Sequence, residues 1–321
     1  MSTTTILLRG MLALAVLGTS LTPAMARTLD TAFGAVEVND DPQRVVTLYE
    51  GALDASLAVG VTPVGAIATR GGQQVAGYLR DQVPDIQMVG LAGETNLEAV
   101  VALAPDLILA SPRLPEEQYA LLSQVAPTVV PPSAGFTPDA WQSESRLFGA
   151  ALGREEQIDD ALADIEARAA QLKASVSNSQ LENAHTDAEG TAPDTHLVRW
   201  MPQGPLVMST QLFSTGMLSA AGFTVDDSGL VSEGRPHSDP LSLEALPQID
   251  GDWLFLATLN EDGLEALNTA RETQAFRRLS VVSRDRVVPV DGQLWTSASG
   301  PLAAQAVLDD IESAVTGNTT P

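Results

Sequence analysis

Three arginines and three aromatic residues of this chain stand at or just beyond short apolar runs, and a fourth arginine stands ahead of one. Tyr49 follows Val45-Val46-Thr47-Leu48, with Glu50 beside it. Arg70 follows Val64-Gly65-Ala66-Ile67-Ala68, and Arg113 follows Leu107-Ile108-Leu109-Ala110. Arg199 and Trp200 end the run that begins at His196, Arg235 precedes a later run, and Trp295 comes after Val290. A guanidinium fork matches paired oxygens such as those of carboxylates, hydroxamates and catecholates. Tyrosine and tryptophan supply flat apolar walls for a bulky ligand. Singly, an arginine on a loop is solvated or salt-bridged. Together these residues make a basic, aromatic-walled cleft.

Other chemistries are poorly supplied. The histidines are His185, His196 and His237, with no i, i+4 pair, and there is no cysteine. That set does not hold a metal ion directly. Tyr49 and His237 are a conceivable axial pair for a haem, though nothing in the sequence singles them out. Ser209, His237 and Asp239 have the types of a hydrolytic triad. Ser209 sits in Val207-Met208-Ser209-Thr210-Gln211 without the Gly-x-Ser-x-Gly elbow, and reads as the N-cap of a helix from 210 to 221.

The elements that would position these residues alternate between short strands and helices. Residues 28–38 read as a hairpin, 44–48 as a first strand and 51–59 as a helix ended by Gly60. Further strands are expected at 64–68, 88–90, 107–110 and 128–130, with a helix at 116–125. This alternation is the pattern of an α/β lobe with a mainly parallel sheet. Residues beyond the carboxyl ends of such strands are where ligands bind. Asn96 to Leu109 reads as a short helix, a turn at Pro105-Asp106 and a buried strand. Its pattern returns at Ser242 to Leu256. Leu97 matches Leu243, Glu98 matches Glu244, Leu103 matches Ile249 and Asp106 matches Asp252, all at an offset of 146 residues. A repeated helix-turn-strand unit at constant offset implies two lobes on one plan.

Between the copies lies the longest periodic stretch. Residues 139–151 form one helix, and Gly153 separates it from a second at 155–175, with Ile158, Leu162, Ile165, Ala169 and Leu172 at helical spacing. Residues 177–195 are polar and read as a surface loop. The expected domains are thus residues 1–26 as a signal, 27–152 as the N-terminal lobe, 153–177 as an interlobe helix and 178–321 as the C-terminal lobe. The fold class is α/β: two similar lobes joined by one long rigid helix, with the ligand cleft between them. A single helix packed on both lobes permits only modest closure.

Residues 1–26 carry Arg9, an apolar stretch from Met11 to Leu17, and Ala24-Met25-Ala26, the features of an exported leader cleaved after Ala26. The apolar stretch is too short to span a bilayer. With no cysteine there is no disulfide and no lipid-anchor site. The 321 residues carry 41 acidic and 17 basic side chains, a net charge of −24. Such a surface repels nucleic acid.

The run from Pro42 to Leu48, then Leu53 to Gly65, Val89-Gly90-Leu91, Asn96-Leu97-Glu98 and Leu103 to Ile108, resembles the opening of periplasmic iron-siderophore-binding proteins. These are the substrate-binding subunits of ABC importers for ferric siderophores, ferric dicitrate and vitamin B12. The resemblance spans nearly the whole chain after the leader and is looser in the second lobe. It implies a non-catalytic, monomeric periplasmic protein that delivers a ferric chelate, or else haem or a cobalamin-like ligand, to a permease with a cytoplasmic ATPase. It also implies that Glu98 and Glu244, one per lobe, dock on permease arginines. Arg113 and Arg199 match positions of basic ligand contacts, and Trp295 matches a tryptophan of hydroxamate binders. The loop Leu91-Ala92-Gly93 departs from relatives that carry a basic residue there.

Overall fold

The computed structural model describes residues 26–132, 135–183 (side chains up to 177) and 192–317. The expected leader lies outside the described residues except for Ala26, and so does His185. From Ala26 the chain makes an antiparallel hairpin of β1 (Ala26–Thr31) and β2 (Gly34–Asn39). β3 (Val45–Leu48) opens the N-terminal lobe and α1 (Glu50–Ala58) leaves it. Next come β4 (Gly65–Ala66), α2 (Gly77–Arg80), β5 (Gln87–Met88) and a small ladder of β6 (Gly90–Leu91) with β7 (Glu94–Thr95). α3 (Leu97–Ala102) is capped by the Asn96 side chain, which accepts from the Ala99 N–H at 3.1 Å. β8 (Leu107–Ala110), α4 (Glu116–Leu122) and β9 (Thr128–Val129) complete the lobe.

Its sheet runs β5-β4-β3-β8-β9 and is parallel throughout. Period-2 alternation explains why the central strands are apolar on every residue. Leu107 and Leu109 enter the core under α1, while Ile108 and Ala110 enter the core on the opposite face.

α5 (Ala140–Leu152) ends at Gly153, which adopts φ +67°. A Cβ there would collide with the Asp40 carbonyl and the Arg27 guanidinium, so the break needs glycine. α6 (Glu155–Asn183) follows and is longer than its apolar periodicity predicts. Its last turns are polar yet helical, so the first part of the expected 177–195 loop is helix. Ile158 belongs to the N-terminal core, whereas Leu162, Ile165, Ala169, Leu172 and Val176 belong to the C-terminal core. One helix is therefore embedded in both lobes.

The second lobe contains β10 (Asp194–Met201), β11 (Gly204–Val207), α7 (Phe213–Ala220), β12 (Thr224–Val225) and β13 (Trp253–Thr258). α8 (Glu261–Arg271), α9 (Gln274–Arg277), α10 (Ser280–Ser283), β14 (Val287–Asp291), α11 (Gly292–Thr296) and α12 (Pro301–Thr316) complete it. The sheet runs β11-β10-β13-β14, with β12 also paired to β10. β10–β11 is antiparallel and the other pairs are parallel. Phe255 and Ala257 face one core and Leu254 and Leu256 the other, repeating the alternation of β8.

The two repeated units keep their roles with one change. Asp106 accepts from the Gln43 and Arg44 N–H groups, both at 2.8 Å, just ahead of β3. Asp252 accepts from the Asp194 N–H at 3.3 Å, at the start of β10. Each aspartate thus pins the entry to its lobe's first long strand. The helix, however, is α-helical in the first copy and a 3-10 helix, Leu243–Ile249, in the second. Pro247 lies inside it and has no N–H to donate to a carbonyl four residues back. Among the described residues, no helix is long and apolar enough to cross a membrane.

Candidate ligand-binding site

A cleft of about 500 Å³ lies between the lobes, a volume suited to a small ligand. The N-terminal lobe contributes Tyr49 and Glu50 at the β3–α1 junction, Arg70 after β4 and Arg113 after β8. The C-terminal lobe contributes Arg199 from β10, Met208 and Gln211 to Ser214 from the segment after β11, His237, and Trp295 to Ser299. Phe136, Trp141 and Glu144 close it from the crossover side, and Ala92 and Gly93 also line it. Most of these positions follow strand ends, because parallel strands deliver their loops to one edge.

The cations are held in unequal ways. Arg199 is buried, and its Nε has no partner. Burial first, and the like charge of Arg70 second, lower its pKa from the usual arginine range. Arg113 lies over the Phe136 ring at 4.5 Å, a cation–π contact that leaves its fork free for a ligand. Among the described residues, none of Arg70, Arg113 and Arg199 forms an ion pair. Outside the cleft, Arg146 pairs with Asp159, Arg168 with Asp309 and Glu312, and Arg284 with Asp252. In a chain with 41 acidic side chains, three arginines without an ion pair at one cleft put positive charge where the rest of the surface is acidic.

The cleft also holds carboxyl groups, so it is not uniformly basic. Glu50 accepts from the Thr69 hydroxyl at 2.5 Å through Oε2, while Oε1 is sealed from solvent with no partner. Burial raises its pKa to about 7, with Asp291 adding and Thr69 and Arg70 opposing. Burial also raises Glu144, against the Tyr49 hydroxyl and Arg113. The Tyr49 hydroxyl donates to Glu144 Oε2 at 3.0 Å and meets Ser299 Oγ at 2.9 Å. Tyr49 is raised too, chiefly by burial and then by Glu144.

Glu50 makes the fold pH-sensitive in a defined direction. Its folded pKa, about 7, lies above the ordinary 4.5, so the folded chain holds a proton that the unfolded chain releases between those values. The stabilisation is complete below pH 4.5 and is lost as pH rises through 7. Asp54, raised to about 7 by burial, acts with the same sign. Urea unfolding at pH 5 and pH 8 is therefore expected to show a stability difference of up to about 3 kcal/mol per such group. Glu50→Gln should shrink that difference, and an unchanged difference would show that Glu50 does not titrate there.

Two expected site residues lie elsewhere. Trp200 is buried in the core on the far face of the sheet, edge-on to Phe276 at 6.0 Å. Adjacent residues of a strand face opposite sides, so Arg199 in the cleft sends Trp200 away from it. Arg235 is not among the cleft-lining residues and pairs with Asp239 at 3.2 Å. Conversely, Phe136, Glu144, Phe213 and Ser299 line the cleft without having been singled out. Glu144 reads as the polar side of an amphipathic helix until α5 is seen beside Tyr49.

Among the described residues, Ser209 and His237 are engaged in other contacts. Ser209 is not the cap of α7, which begins three residues beyond Thr210. Its Oγ accepts from the Gln211 N–H at 3.1 Å, and its carbonyl accepts from the Thr215 hydroxyl at 3.0 Å. His237 Nδ1 is engaged by the Ser238 carbonyl at 2.7 Å, and no Ser209–His237 bond occurs among the described residues. Among those residues no cluster of histidines and acids is arranged to hold a metal ion. Glu98 and Glu244 are both exposed, each in the first turn of its helix, with no ion pair among the described residues.

Comparison with known proteins agrees with this architecture. The family model described as periplasmic binding protein matches residues 45–293. The probable siderophore-binding lipoprotein YfiY of Bacillus subtilis is 28% identical over 297 residues, covering 89% of this chain and 87% of its own. The Fe(3+) dicitrate-binding periplasmic protein FecB of Escherichia coli is 25% identical over 288 residues, covering 89% of each. Among solved structures, SirA of Staphylococcus aureus complexed with staphyloferrin B superposes with a TM-score of 0.76 at 24% identity, over 90% of this chain and 98% of its own.

Proposed function

Since the chain belongs to the periplasmic binding protein family, we propose that it captures a ferric chelate, a siderophore or ferric citrate, between its lobes and delivers it to an ABC importer. It is a substrate-binding protein and not an enzyme. The observation that carries the ligand reading is the set of unpaired arginines, Arg70, Arg113 and Arg199, facing one cleft from both lobes. An anionic chelate supplies the oxygens these forks lack, and Trp295 and Phe136 give its organic part apolar walls. Names among the relatives point the same way, since YfiY is called siderophore-binding and FecB Fe(3+) dicitrate-binding. The Tyr49 hydroxyl, which a haem iron would need, is already engaged by Glu144 and Ser299.

The protein works in the periplasm, and we place cleavage of its leader after Ala26. Arg27 Nη1 donates to the Ala150 carbonyl at 2.6 Å and Nε to Asp40 at 3.3 Å, so a chain beginning at Arg27 keeps its anchor. Delivery uses Glu98 and Glu244, which occupy equivalent positions on the two lobes as a permease with two similar halves requires.

The cleft is lined by Trp141 and Trp295, so bound ferric iron should quench tryptophan fluorescence. A panel of ferric citrate, hydroxamate and catecholate chelates is expected to give saturable quenching with at least one. No response to any of the three would overturn the proposed ligand class.

A further inference from the structure

The lobes meet a second time behind the cleft, where α1 packs on α12. Asp54 of α1 is fully buried at this seam. Its Oδ1 accepts from the Leu302 N–H and its Oδ2 from the Ala303 N–H, both at 2.8 Å. Oδ2 also accepts from the Tyr78 hydroxyl at 2.9 Å. Leu302 and Ala303 lie in the first turn of α12, so a side chain of the N-terminal lobe caps a helix of the C-terminal lobe. Gly300, at φ +121°, leaves the room for it, because a Cβ there would fall on the Asp54 carboxylate.

This cap connects to the cleft through a closed series of contacts. α12 carries Asp310, which accepts from Trp295 Nε1 at 2.7 Å. The Trp295 carbonyl accepts from the Ser214 hydroxyl at 2.6 Å, and its ring stacks on Phe255 at 5.0 Å. The wall then runs from Trp295 to Ser299, whose hydroxyl meets Tyr49 at 2.9 Å. Tyr49 directly precedes α1, and the series returns to Asp54. Asp54 itself is not among the cleft-lining residues.

We propose that Asp54 is a positioning residue for ligand capture: by capping α12 across the lobe boundary it sets the Trp295–Ser299 wall at a fixed distance from Tyr49. It touches no ligand and acts through α12. The Asp54 cap consequently ties the lobes together, in addition to α6, before any ligand arrives. The effect on affinity rests on the ferric-chelate reading above, whereas the effect on lobe separation does not.

The chain has no cysteine, which makes the test direct. Ser123→Cys and Thr269→Cys place spin labels at exposed positions, one on each lobe. Distance distributions by pulsed electron resonance at pH 8 are expected to be single and narrow with native Asp54, and broader with Asp54→Asn. Ferric dicitrate Kd should rise about tenfold in Asp54→Asn, the loss of one or two charge-assisted bonds. Leu267→Ala, a core truncation distant from the seam, should lower stability yet leave the distribution unchanged and Kd within about twofold. In the unsubstituted chain, the Leu302 and Ala303 amides should exchange slowly, which tests the cap even if Asp54→Asn does not fold. Fast exchange of these amides, or an unchanged distance distribution in Asp54→Asn, would overturn the tie. A broader distribution with unchanged Kd would overturn the positioning role. Absence of ferric dicitrate binding by the unsubstituted chain would overturn the affinity effect and, as its ligand, ferric dicitrate, leaving the distance and exchange results to decide the tie.

Discussion

Replacing Arg199 by methionine is expected to weaken ferric dicitrate binding about 10- to 100-fold, the size of a lost charge-assisted contact of about 1.5–3 kcal/mol. The same change should make the empty protein more stable, by about 1 kcal/mol, because a guanidinium whose Nε is buried without a partner is removed. Opposite signs for binding and stability follow from one arrangement. Arg199 projects from a central strand, its Nε lacks a partner, and its pKa is lowered by burial and by Arg70. An incoming carboxylate restores what burial removed. Methionine keeps the unbranched apolar stem, so packing losses stay small. Arg199→Lys should recover little of the affinity, since a point charge does not reproduce the guanidinium fork. Titration calorimetry and urea unfolding read the two effects separately. A loss of stability in Arg199→Met would mean that the guanidinium is satisfied within the protein and is not held for a ligand.

The second large effect concerns transport. Glu98→Ala with Glu244→Ala should lower iron uptake in cells at least about tenfold, with ferric dicitrate Kd changed by no more than about twofold. Each glutamate is exposed on the first turn of a short helix, and the two helices are the paired copies separated by 146 residues. Neither is used by the fold in an ion pair among the described residues. Their removal therefore costs the isolated protein little, while a basic partner surface loses one contact per lobe. Each single substitution should give an intermediate uptake defect. A fall in ligand affinity, or normal uptake by the double variant, would show that these positions do not dock the permease.

How much of this was legible in the sequence varied with the length of the contacts involved. Leu107 to Ala110 and Trp253 to Leu256 are apolar on every residue because both sheet faces are covered, so the strands could be read from local pattern alone. Asp106 and Asp252 were visible as a matched pair, although their function as anchors for neighbouring strand entries required the fold. The second unit's 3-10 helix was signalled by Pro247. Trp200 was misplaced although period-2 alternation, applied to Arg199 and Trp200 together, assigns them to opposite faces. Glu144 and Ser299 were not legible, since they meet Tyr49 across 95 and 250 residues of chain. Asp54 belongs with them. It looks like one polar residue on an otherwise buried helix, and only the arrival of α12 explains it.

The central claim is that a cleft with unpaired arginines on both lobes captures an anionic ferric chelate. Its most direct measurement is isothermal titration of the purified protein, from Arg27 onward, with ferric dicitrate and in parallel with iron-free citrate. The account predicts saturable one-to-one binding of the ferric chelate at a Kd of about 1 μM or below, weakening as salt is raised, and at least about 100-fold weaker binding of citrate alone. Equal affinity for citrate with and without iron, or salt-independent binding, would contradict it.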